Sequence, residues 1–295
     1  MKDLPTSLSR TTTLSKALET VRRQISFLTE TPSLDAQVLL AHVCGRDRGW
    51  VLAHPEHTLD PEETLRLADG LAQLMAGVPL PYVLGSWEFY GLDFKVTPQV
   101  LIPRPETELL VDTALKWLRA RPERRQAAEA GTGSGCIAVS LTVNLPDLEI
   151  AVTDISPQAA DIARENAVRH QVDDRVQVLV GDLLEDLPGL FDLIAANLPY
   201  IPSQTLRQLP VYRREPILAL DGGAEGLDLI ARLIKQSAHK LASGGIALLE
   251  IEAGQGAQGQ ALAAEHFANA NISVLRDLSG LDLLLTIQTC GLKPP

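Results

Sequence analysis

Cysteine is scarce in this chain of 295 residues, which contains only Cys44, Cys136 and Cys290. The three lie far apart in the sequence and no two of them form a CxxC pair, which argues against a disulfide framework and against a zinc site. Scattered cysteines in an odd number are typical of proteins in a reducing compartment. We therefore expect a cytoplasmic protein that holds no metal ion.

Long hydrophobic runs and basic residues are also in short supply. No apolar run reaches the roughly 20 residues that cross a bilayer, and the opening MKDLPTSLSR lacks the apolar centre of a signal peptide. The 26 Lys and Arg residues against 37 Asp and Glu give a formal net charge of −11. A general nucleic-acid binder normally carries a basic surface. We expect neither a membrane nor a nucleic acid as a direct partner.

Residues 1–78 contain helical patterns and no pattern typical of strands. The first segment, LSKALETVRRQISFL, repeats apolar residues at the spacing of one helix face. The second segment, SLDAQVLLAHVCG, ends at Gly45. The third segment, DPEETLRLADGLAQLMAG, begins with Asp-Pro and ends at Gly77. Core packing explains these apolar stripes, so the sequence predicts a small all-α domain without chemistry of its own.

Residues 79–105 differ in composition, because they are rich in Pro, Gly, aromatic and β-branched residues. The stretch WEFYGLDFKV is typical of a β-hairpin with its turn at Gly91. The sequence therefore predicts a hairpin linker over 79–105. A second domain over 106–295 would begin with a helix.

From Arg125 onward, short apolar runs alternate with helical patterns. The predicted strands are QAAEA, LEIAVTD, VQVLVGD, FDLIAAN, GIALLEIE, ISVLRD and LDLLLTI. This alternation predicts an α/β fold, with a mostly parallel sheet between two layers of helices. Only a glycine turn separates the last two strands, so they must form an antiparallel hairpin at one edge. A seven-stranded sheet of this kind resembles the Rossmann-like sheet of class I methyltransferases.

A glycine-rich loop, EAGTGSGC, follows the first strand of this predicted sheet. Its GxGxG pattern, Gly131 to Gly135, permits a tight turn and a close approach of the backbone to a ligand at the start of a helix. The dinucleotide fingerprint would need Gly or Ala at the position of Cys136, so the loop disfavours NAD. A tight turn that binds nothing is the alternative explanation.

Acidic residues follow the next two strands. Asp154 ends the second strand, where a carboxylate can accept hydrogen bonds from ribose hydroxyls, although Asp is also a common helix cap. Asp182 and the backbone N–H of Leu183 follow the third strand, where they would read an adenine edge; a simple turn explains them almost as well. Because the carboxyl ends of parallel strands share one edge of a sheet, we expect these groups in one crevice.

The fourth strand ends in NLPY, Asn197 to Tyr200. Pro199 cannot donate to a sheet and biases Leu198 toward extended geometry, so the strand stops here and presents Asn197 and Tyr200. A planar amide or amino nitrogen is a poor nucleophile that needs to be oriented. An Asn side-chain oxygen and a backbone carbonyl can accept its two N–H bonds, and an aromatic ring can pack on its flat face.

NLPY resembles the NPPY signature of methyltransferases that act on planar nitrogens with S-adenosyl-L-methionine. Three further features resemble the release factor glutamine methyltransferases: LIPRPETELLV at 101–111, EPILALDGGAEGLDLI at 215–230, and the helical N-terminal domain. The resemblance implies methylation of the side-chain amide of the Gln in the GGQ motif of class I peptide chain release factors, a reaction of translation termination. We expect the chain to act as a monomer.

The resemblance also implies roles for single residues. Asn197, Leu198, Pro199 and Tyr200 would form the catalytic and substrate-binding site, with the Asn197 side chain and the Leu198 carbonyl accepting the two target N–H groups. The residues implied in cofactor binding are Gly131, Thr132, Gly133, Ser134, Gly135, Asp154, Asp182, Leu183 and Asn197. Arg104 and Glu106 would lie near the crevice without an assigned role. Residues 1–78 would recognise the substrate protein.

Three positions depart from the family pattern: Glu129 stands where Asp is usual, Leu198 replaces the first Pro of the signature, and Leu283 stands where Arg is common. None of these changes removes a proposed hydrogen-bonding group for the target amide. Two alternatives stay open. One is an adenine methyltransferase acting on DNA or RNA, which should show a basic face or an added target-recognition domain. The other is a cofactor-binding module without activity.

Overall fold

The computed structural model describes residues 12–291, and the N-terminal decapeptide that lacks a signal-peptide pattern lies outside them. The chain divides into two compact units, Met1–Ser86 and Trp87–Pro295. Across the described residues, none of the helices is both long enough and apolar enough to cross a membrane.

The first unit is helical. Its helices are α1 (Leu14–Ile25), α2 (Pro32–Cys44), α3 (Arg48–Ala53), α4 (Pro61–Met75) and α5 (Leu80–Leu84). Local signals explain the ends: Asp60 and Glu63 form a capping box at the start of α4, and Gly45 ends α2 in the left-handed conformation. The apolar stripes pack into one core, which includes Leu14, Val21 and Leu67. The helix α5 lies within the predicted linker, and the division of the chain at residues 78 and 105 stays a prediction.

The predicted hairpin is present near the start of the second unit. Strands β1 (Ser86–Phe89) and β2 (Leu92–Lys95) pair across a turn in which Tyr90 and Gly91 both have positive φ, 53° and 74°. A two-residue hairpin turn of type I′ requires positive φ at both central residues, and its twist matches that of the flanking strands. Tyr90 therefore adopts a conformation that is uncommon outside glycine.

The rest of the second unit is an α/β sandwich. Its strands are β3 (Gln126–Ala130), β4 (Glu149–Asp154), β5 (Val176–Val180), β6 (Phe191–Ala196), β7 (Leu241–Glu250), β8 (Ala270–Arg276) and β9 (Asp282–Thr289). They form one sheet in the order β5-β4-β3-β6-β7-β9-β8. Pairing is parallel from β5 to β7, whereas β9 runs antiparallel to both β7 and β8. The predicted fold class, with its antiparallel C-terminal hairpin, is confirmed.

Helices cover both faces of this sheet. They are α6 (Glu108–Arg119), which follows a 3-10 turn at Pro105–Thr107, α7 (Cys136–Asn144), α8 (Pro157–Arg169), α9 (Ser203–Leu206), α10 (Asp228–Lys240) and α11 (Gly256–His266). One apolar core packs α6 and α7 against the sheet, and the other packs α10 and α11 against the opposite face. The central strands are buried on both sides, and so they read as continuous apolar runs in the sequence.

A buried asparagine joins the hairpin to the loop that follows β3. The side chain of Asn166 on α8 is fully buried. Its Oδ1 accepts from the Lys95 N–H at 2.7 Å, and its Nδ2 donates to the Lys95 and Ser134 carbonyls at 3.0 and 2.8 Å. Asn166 thus satisfies three backbone groups at once and holds the glycine-rich loop in register with β2 and α8.

Candidate active site

The candidate site lies where the strand order reverses. The chain runs from β3 outward through β4 to β5 and then returns to β6 on the other side of β3. In open α/β sheets ligands bind at such a switch point, outside the carboxyl ends of the strands. Ala130 and Ala196, the last residues of β3 and β6, are direct partners in the register. Gly131 and Asn197 therefore leave the sheet side by side.

A cavity of about 330 Å³ opens at this point, which is within the usual range for a small-molecule site. The sequence-predicted residues that line it are Gly131, Thr132, Gly133, Ser134, Asp154, Asp182, Leu183, Asn197, Leu198 and Pro199. Arg104 also lines the cavity. Gly135, Tyr200 and Glu106 are not among the residues that line the cavity, and Glu106 is exposed to solvent.

The glycines of the loop after β3 allow neighbouring residues to pack closely against the backbone. Gly131, Gly133 and Gly135 all have positive φ, at 71°, 55° and 80°. A methyl group on Gly131 would lie 2.7 Å from Cδ2 of Leu198, and one on Gly135 would lie 3.2 Å from Cβ of Ala163 on α8. Gly131 thus lets NLPY pack against the loop. Gly135 allows α7 to approach α8; it is not among the residues that line the cavity, and its role in cofactor binding stays a prediction.

Asp154 holds the loop by two backbone hydrogen bonds. Its Oδ2 accepts from the Gly133 N–H and its Oδ1 from the Ser156 N–H, both at 2.9 Å. The cap of α8 is Ser156, whose hydroxyl accepts from the Ala159 N–H at 3.2 Å. Asp154 is therefore not the helix cap. Burial raises the pKa of this carboxyl group and the two N–H donors oppose the rise; its oxygens keep further lone pairs for a ligand hydroxyl.

Glu129, the acidic residue of β3, is a buried carboxyl group at the cavity wall. It is 1% exposed, and its Oε2 accepts from the N–H of Ala138, in the first turn of α7, at 3.0 Å. That N–H has no partner within the helix. Burial raises the pKa of Glu129 to about 8, in spite of this hydrogen bond.

The raised pKa of Glu129 predicts how the free energy of unfolding depends on pH. Between the ordinary Glu pKa of 4.5 and about 8, folded Glu129 keeps a proton that the unfolded chain has released. The free energy of unfolding must therefore fall as pH rises through this window, by about 1.4 kcal/mol per pH unit for one proton. Glu129→Gln should flatten that dependence, as measured by urea unfolding from pH 5 to pH 8. Glu265→Gln on the surface controls for the loss of charge; equal slopes in both variants would contradict the prediction.

Two side chains of the NLPY loop form hydrogen bonds with residues that are distant in the sequence. The Nδ2 of Asn197 donates to Oγ1 of Thr107 at 2.9 Å. The Tyr200 hydroxyl donates to Oε1 of Glu250 at 3.3 Å. Glu250 ends β7 and is 1% exposed; burial raises its pKa to about 7, while hydrogen bonding from the Thr107 and Tyr200 hydroxyls opposes the rise. Tyr200 thus faces Glu250 and shapes the site from behind.

Two glycines of the DGGAEGL stretch support the same loop from the other side. A methyl group on Gly222 would lie 2.7 Å from Cα of Tyr200, and one on Gly226 would overlap the Tyr200 carbonyl oxygen. That oxygen accepts from Nε2 of Gln255 at 3.1 Å. Glycine at these positions therefore fixes where the Tyr200 backbone lies.

A matched pair of substitutions tests this packing. Gly226 and Gly254 both have positive φ, 79° and 95°, but only Gly226 has atoms within 4 Å of an added methyl group. Gly254→Ala should lower the free energy of unfolding by about 1–2 kcal/mol, the cost of a left-handed alanine. Gly226→Ala should lose a further 1–3 kcal/mol or so through the clash. Urea unfolding of both variants gives the comparison, and equal losses would refute the steric role.

Two ion pairs complete the wall. Arg104 pairs with Glu215, whose carboxylate also accepts from the Ile102 N–H at 3.1 Å. These contacts join residues 102–104 to the segment that begins at Glu215. Arg232 on α10 pairs with Asp182 at 2.6 Å. Of the groups that sequence reasoning missed, Thr107 lies within the stretch LIPRPETELLV. Arg232 and Glu250 carried no local signal, because their neighbours come from other elements.

Two family models match the sequence. The PrmC N-terminal domain matches residues 16–85, and the methyltransferase small domain matches residues 106–209. Together they cover the helical unit and the glycine loop through NLPY.

Several relatives are similar over most of the chain. The release factor glutamine methyltransferase of Moorella thermoacetica is 44% identical over 273 residues, which is 92% of this chain and 96% of the relative. The protein of the same name from Bordetella pertussis is 39% identical and covers 85% of this chain and 93% of its own. That from Deinococcus radiodurans is 36% identical, with coverages of 88% and 92%.

Solved structures share the fold at low identity. The hMettl16 catalytic domain in complex with MAT2A 3′UTR hairpin 6 has a TM-score of 0.54 at 15% identity, over 76% of this chain and 81% of that one. The T. thermophilus 16S rRNA methyltransferase RsmC, in complex with AdoMet and guanosine, has a TM-score of 0.51 at 17% identity, over 69% and 49%. With the close relatives and the site geometry together, this chain is a methyltransferase and belongs to the release factor glutamine methyltransferase family.

Proposed function

We propose that the protein transfers a methyl group from S-adenosyl-L-methionine to the side-chain amide of the Gln in the GGQ motif of class I release factors. The observation that carries the proposal is the position of Asn197. Its side chain lines the cavity beside the glycine loop, and its Nδ2 is engaged by Thr107. The Asn197 oxygen is thereby left for a ligand N–H. The names of the relatives point to the same substrate class.

The chemistry of the cavity wall fits the cofactor. A methyl group added to Gly133 would have no atom within 4 Å, so the backbone there leaves room for the methionine end, and the Asp154 carboxylate has lone pairs for the ribose hydroxyls. Asp182 and Leu183 would lie at the adenine, with Arg232 fixing the Asp182 carboxylate. When bound, the cofactor supplies a methyl group that is electrophilic because it is attached to a positively charged sulfur.

The NLPY loop would orient the target amide. An amide nitrogen is a weak nucleophile because its lone pair is delocalised into the carbonyl group. The Asn197 Oδ1 and the Leu198 carbonyl would accept its two N–H bonds, and Pro199 would limit its position, since all three residues line the cavity. Orientation of this kind lowers the barrier by converting an encounter into a positioned reaction.

The partner assignment rests on the family. The helical domain, predicted at residues 1–78, would contact the release factor, and the net charge of −11 suits a protein substrate that itself binds RNA. The predicted cytoplasmic location is consistent with a substrate of this kind. The monomeric state stays a prediction.

A methyl-transfer assay tests the function directly. The purified chain is incubated with methyl-labelled S-adenosyl-L-methionine and, in separate reactions, with a release factor, its GGQ-to-GGA variant, DNA and RNA. Label is expected in the unaltered release factor alone. Label in DNA or RNA would establish the adenine methyltransferase alternative, and cofactor binding without label anywhere would establish the inactive module.

Two substitutions should separate cofactor binding from transfer. Asp154→Ala removes a carboxylate whose charge-assisted bonds are worth about 1.5–3 kcal/mol each, so calorimetry should show cofactor affinity at least ten-fold weaker.

Asn197→Ala should leave the Kd for the cofactor nearly unchanged and lower kcat by about 100-fold, because the target amide is no longer oriented.

The outcomes that would contradict this separation are specific. Unchanged affinity in Asp154→Ala would remove Asp154 from the cofactor site and leave it only its bonds to the loop. Near-normal turnover of a release factor by Asn197→Ala would exclude the proposed role of the NLPY amide.

A further inference from the structure

The segment that follows NLPY forms part of the mouth of the cavity. Residues 203–219, which we call the rim segment, run from α9 to a 3-10 turn at Ile217–Ala219. Pro216, Leu218 and Ala219, near the end of the rim segment, line the cavity. A protein that inserts one side chain into the cavity therefore brings the residues on either side of it onto the rim segment.

The rim segment is basic, although the chain as a whole has a net charge of −11. It contains three arginines, Arg207, Arg213 and Arg214, no lysine, and one acidic residue, Glu215. Glu215 is buried and paired with Arg104, whereas the three arginines are exposed. Among the residues that the structure describes, no carboxylate lies within ion-pair distance of Arg213 or Arg214. Their charges are therefore free to pair with a partner.

The composition of the rim segment is that of a protein interface. Ile217 is 42% exposed and Leu218 is 59% exposed. The guanidinium carbon of Arg213 lies 5.3 Å from the centre of the Tyr212 ring. Protein interfaces are enriched in Arg and aromatic residues and depleted in Lys, whereas Lys neutralises a phosphate backbone as well as Arg does. Exposed apolar side chains beside arginines thus favour a protein over a nucleic acid as the partner.

The rim segment is held in place before any partner binds. At its start the Ser203 N–H donates to the Gly223 carbonyl at 2.8 Å, and near its end Glu215 pairs with Arg104. Between these anchors Arg213 has a φ of 65°, a conformation that is costly for a residue other than glycine and is found most often at functional sites. A preformed surface loses less conformational entropy when it binds a partner.

We propose that the rim segment is a docking surface for the substrate protein, on which Arg213 and Arg214 pair with carboxylates that lie beside the target glutamine. Ile217 and Leu218 pack against apolar side chains in the same contact. Pairs between Arg and carboxylates are directional, so they fix the orientation in which the partner meets an otherwise acidic protein. The inference rests on the proposed function, because it concerns how the protein substrate is recognised.

The test measures the binding of an intact release factor to the full chain. Arg213→Gln/Arg214→Gln removes two charges with little change in side-chain length, so the Kd should rise about tenfold at low salt. The difference from wild type should shrink to about twofold at about 0.5 M salt, where the wild-type ion pairs are screened as well. In methylation assays KM for the release factor should rise in parallel, while kcat and the Kd for the cofactor stay unchanged.

Lys116→Gln/Arg119→Gln is the matched control. Both residues lie in the last turn of α6, which leads into the amino end of β3 and thus lies at the edge of the sheet opposite the cavity. This variant has the same net charge as the arginine variant and should keep the wild-type Kd. Ile217→Ala tests the apolar contact and should weaken binding at low and high salt alike. Val168→Ala, at an exposed position in the last turn of α8, is its control and should bind as wild type does.

The outcomes separate the two levels of the argument. Absence of release factor methylation by the wild-type protein would overturn the proposed function and this inference with it. Wild-type methylation together with an unchanged Kd in Arg213→Gln/Arg214→Gln would overturn the docking surface alone, as would equal losses in this variant and its control. An RNA oligonucleotide is titrated in parallel. RNA binding that is lost in the arginine variant, with release factor binding intact, would show a nucleic-acid surface and overturn the protein docking role.

Discussion

The parallel pairing of β3 with β6 is the constraint on which the site depends. It joins two stretches that are distant in sequence and sets the glycine loop beside NLPY at the switch point of the sheet. The alanines of β3 leave room for tight packing on both faces, and Gly131 lets the Leu198 side chain close against the loop. A shift of this register would separate the groups proposed to hold the two substrates.

Buried acids shape the floor of the site. Glu129, Asp154 and Glu250 end or nearly end β3, β4 and β7, and burial raises the pKa of each. Each accepts hydrogen bonds from a helix start, the loop backbone or hydroxyl groups, as a buried carboxylate requires. The raised pKa values of Glu129 and Glu250 make the free energy of unfolding fall as pH rises toward neutrality.

The departures from the family pattern have structural explanations for two of the three positions. The side chain of Glu129 reaches the backbone of α7, so the longer carboxylate keeps a bond to the helix start. Leu198 is buried against Gly131 and lines the cavity, so a leucine fits this position. At Leu283 only the carbonyl oxygen has a defined role, as acceptor from the Ile251 N–H at 2.9 Å; nothing in the structure explains the side chain.

The sequence by itself determined the features that depend on neighbouring residues. Apolar periodicity predicted α1, α2 and α4 of the first unit, but not α3 or α5, and alternating apolar runs predicted the seven strands. Glycine and proline marked the turns, and the short glycine connection required an antiparallel hairpin between β8 and β9. The crevice residues followed from one rule, that parallel strands end on the same side, and most of them line the cavity. Their functional roles stay predictions.

Only the tertiary structure decided which side chains meet. The partners Thr107 and Asn197 are 90 residues apart, and Arg104 and Glu215 are 111 apart. No local pattern encodes such pairs, because hydrogen bonds between distant residues depend on strand order and register. For the same reason Gly135 and Tyr200, which read as ligand contacts in the sequence, are not among the residues that line the cavity: the packing of α8 and the position of Glu250 determine which way they face.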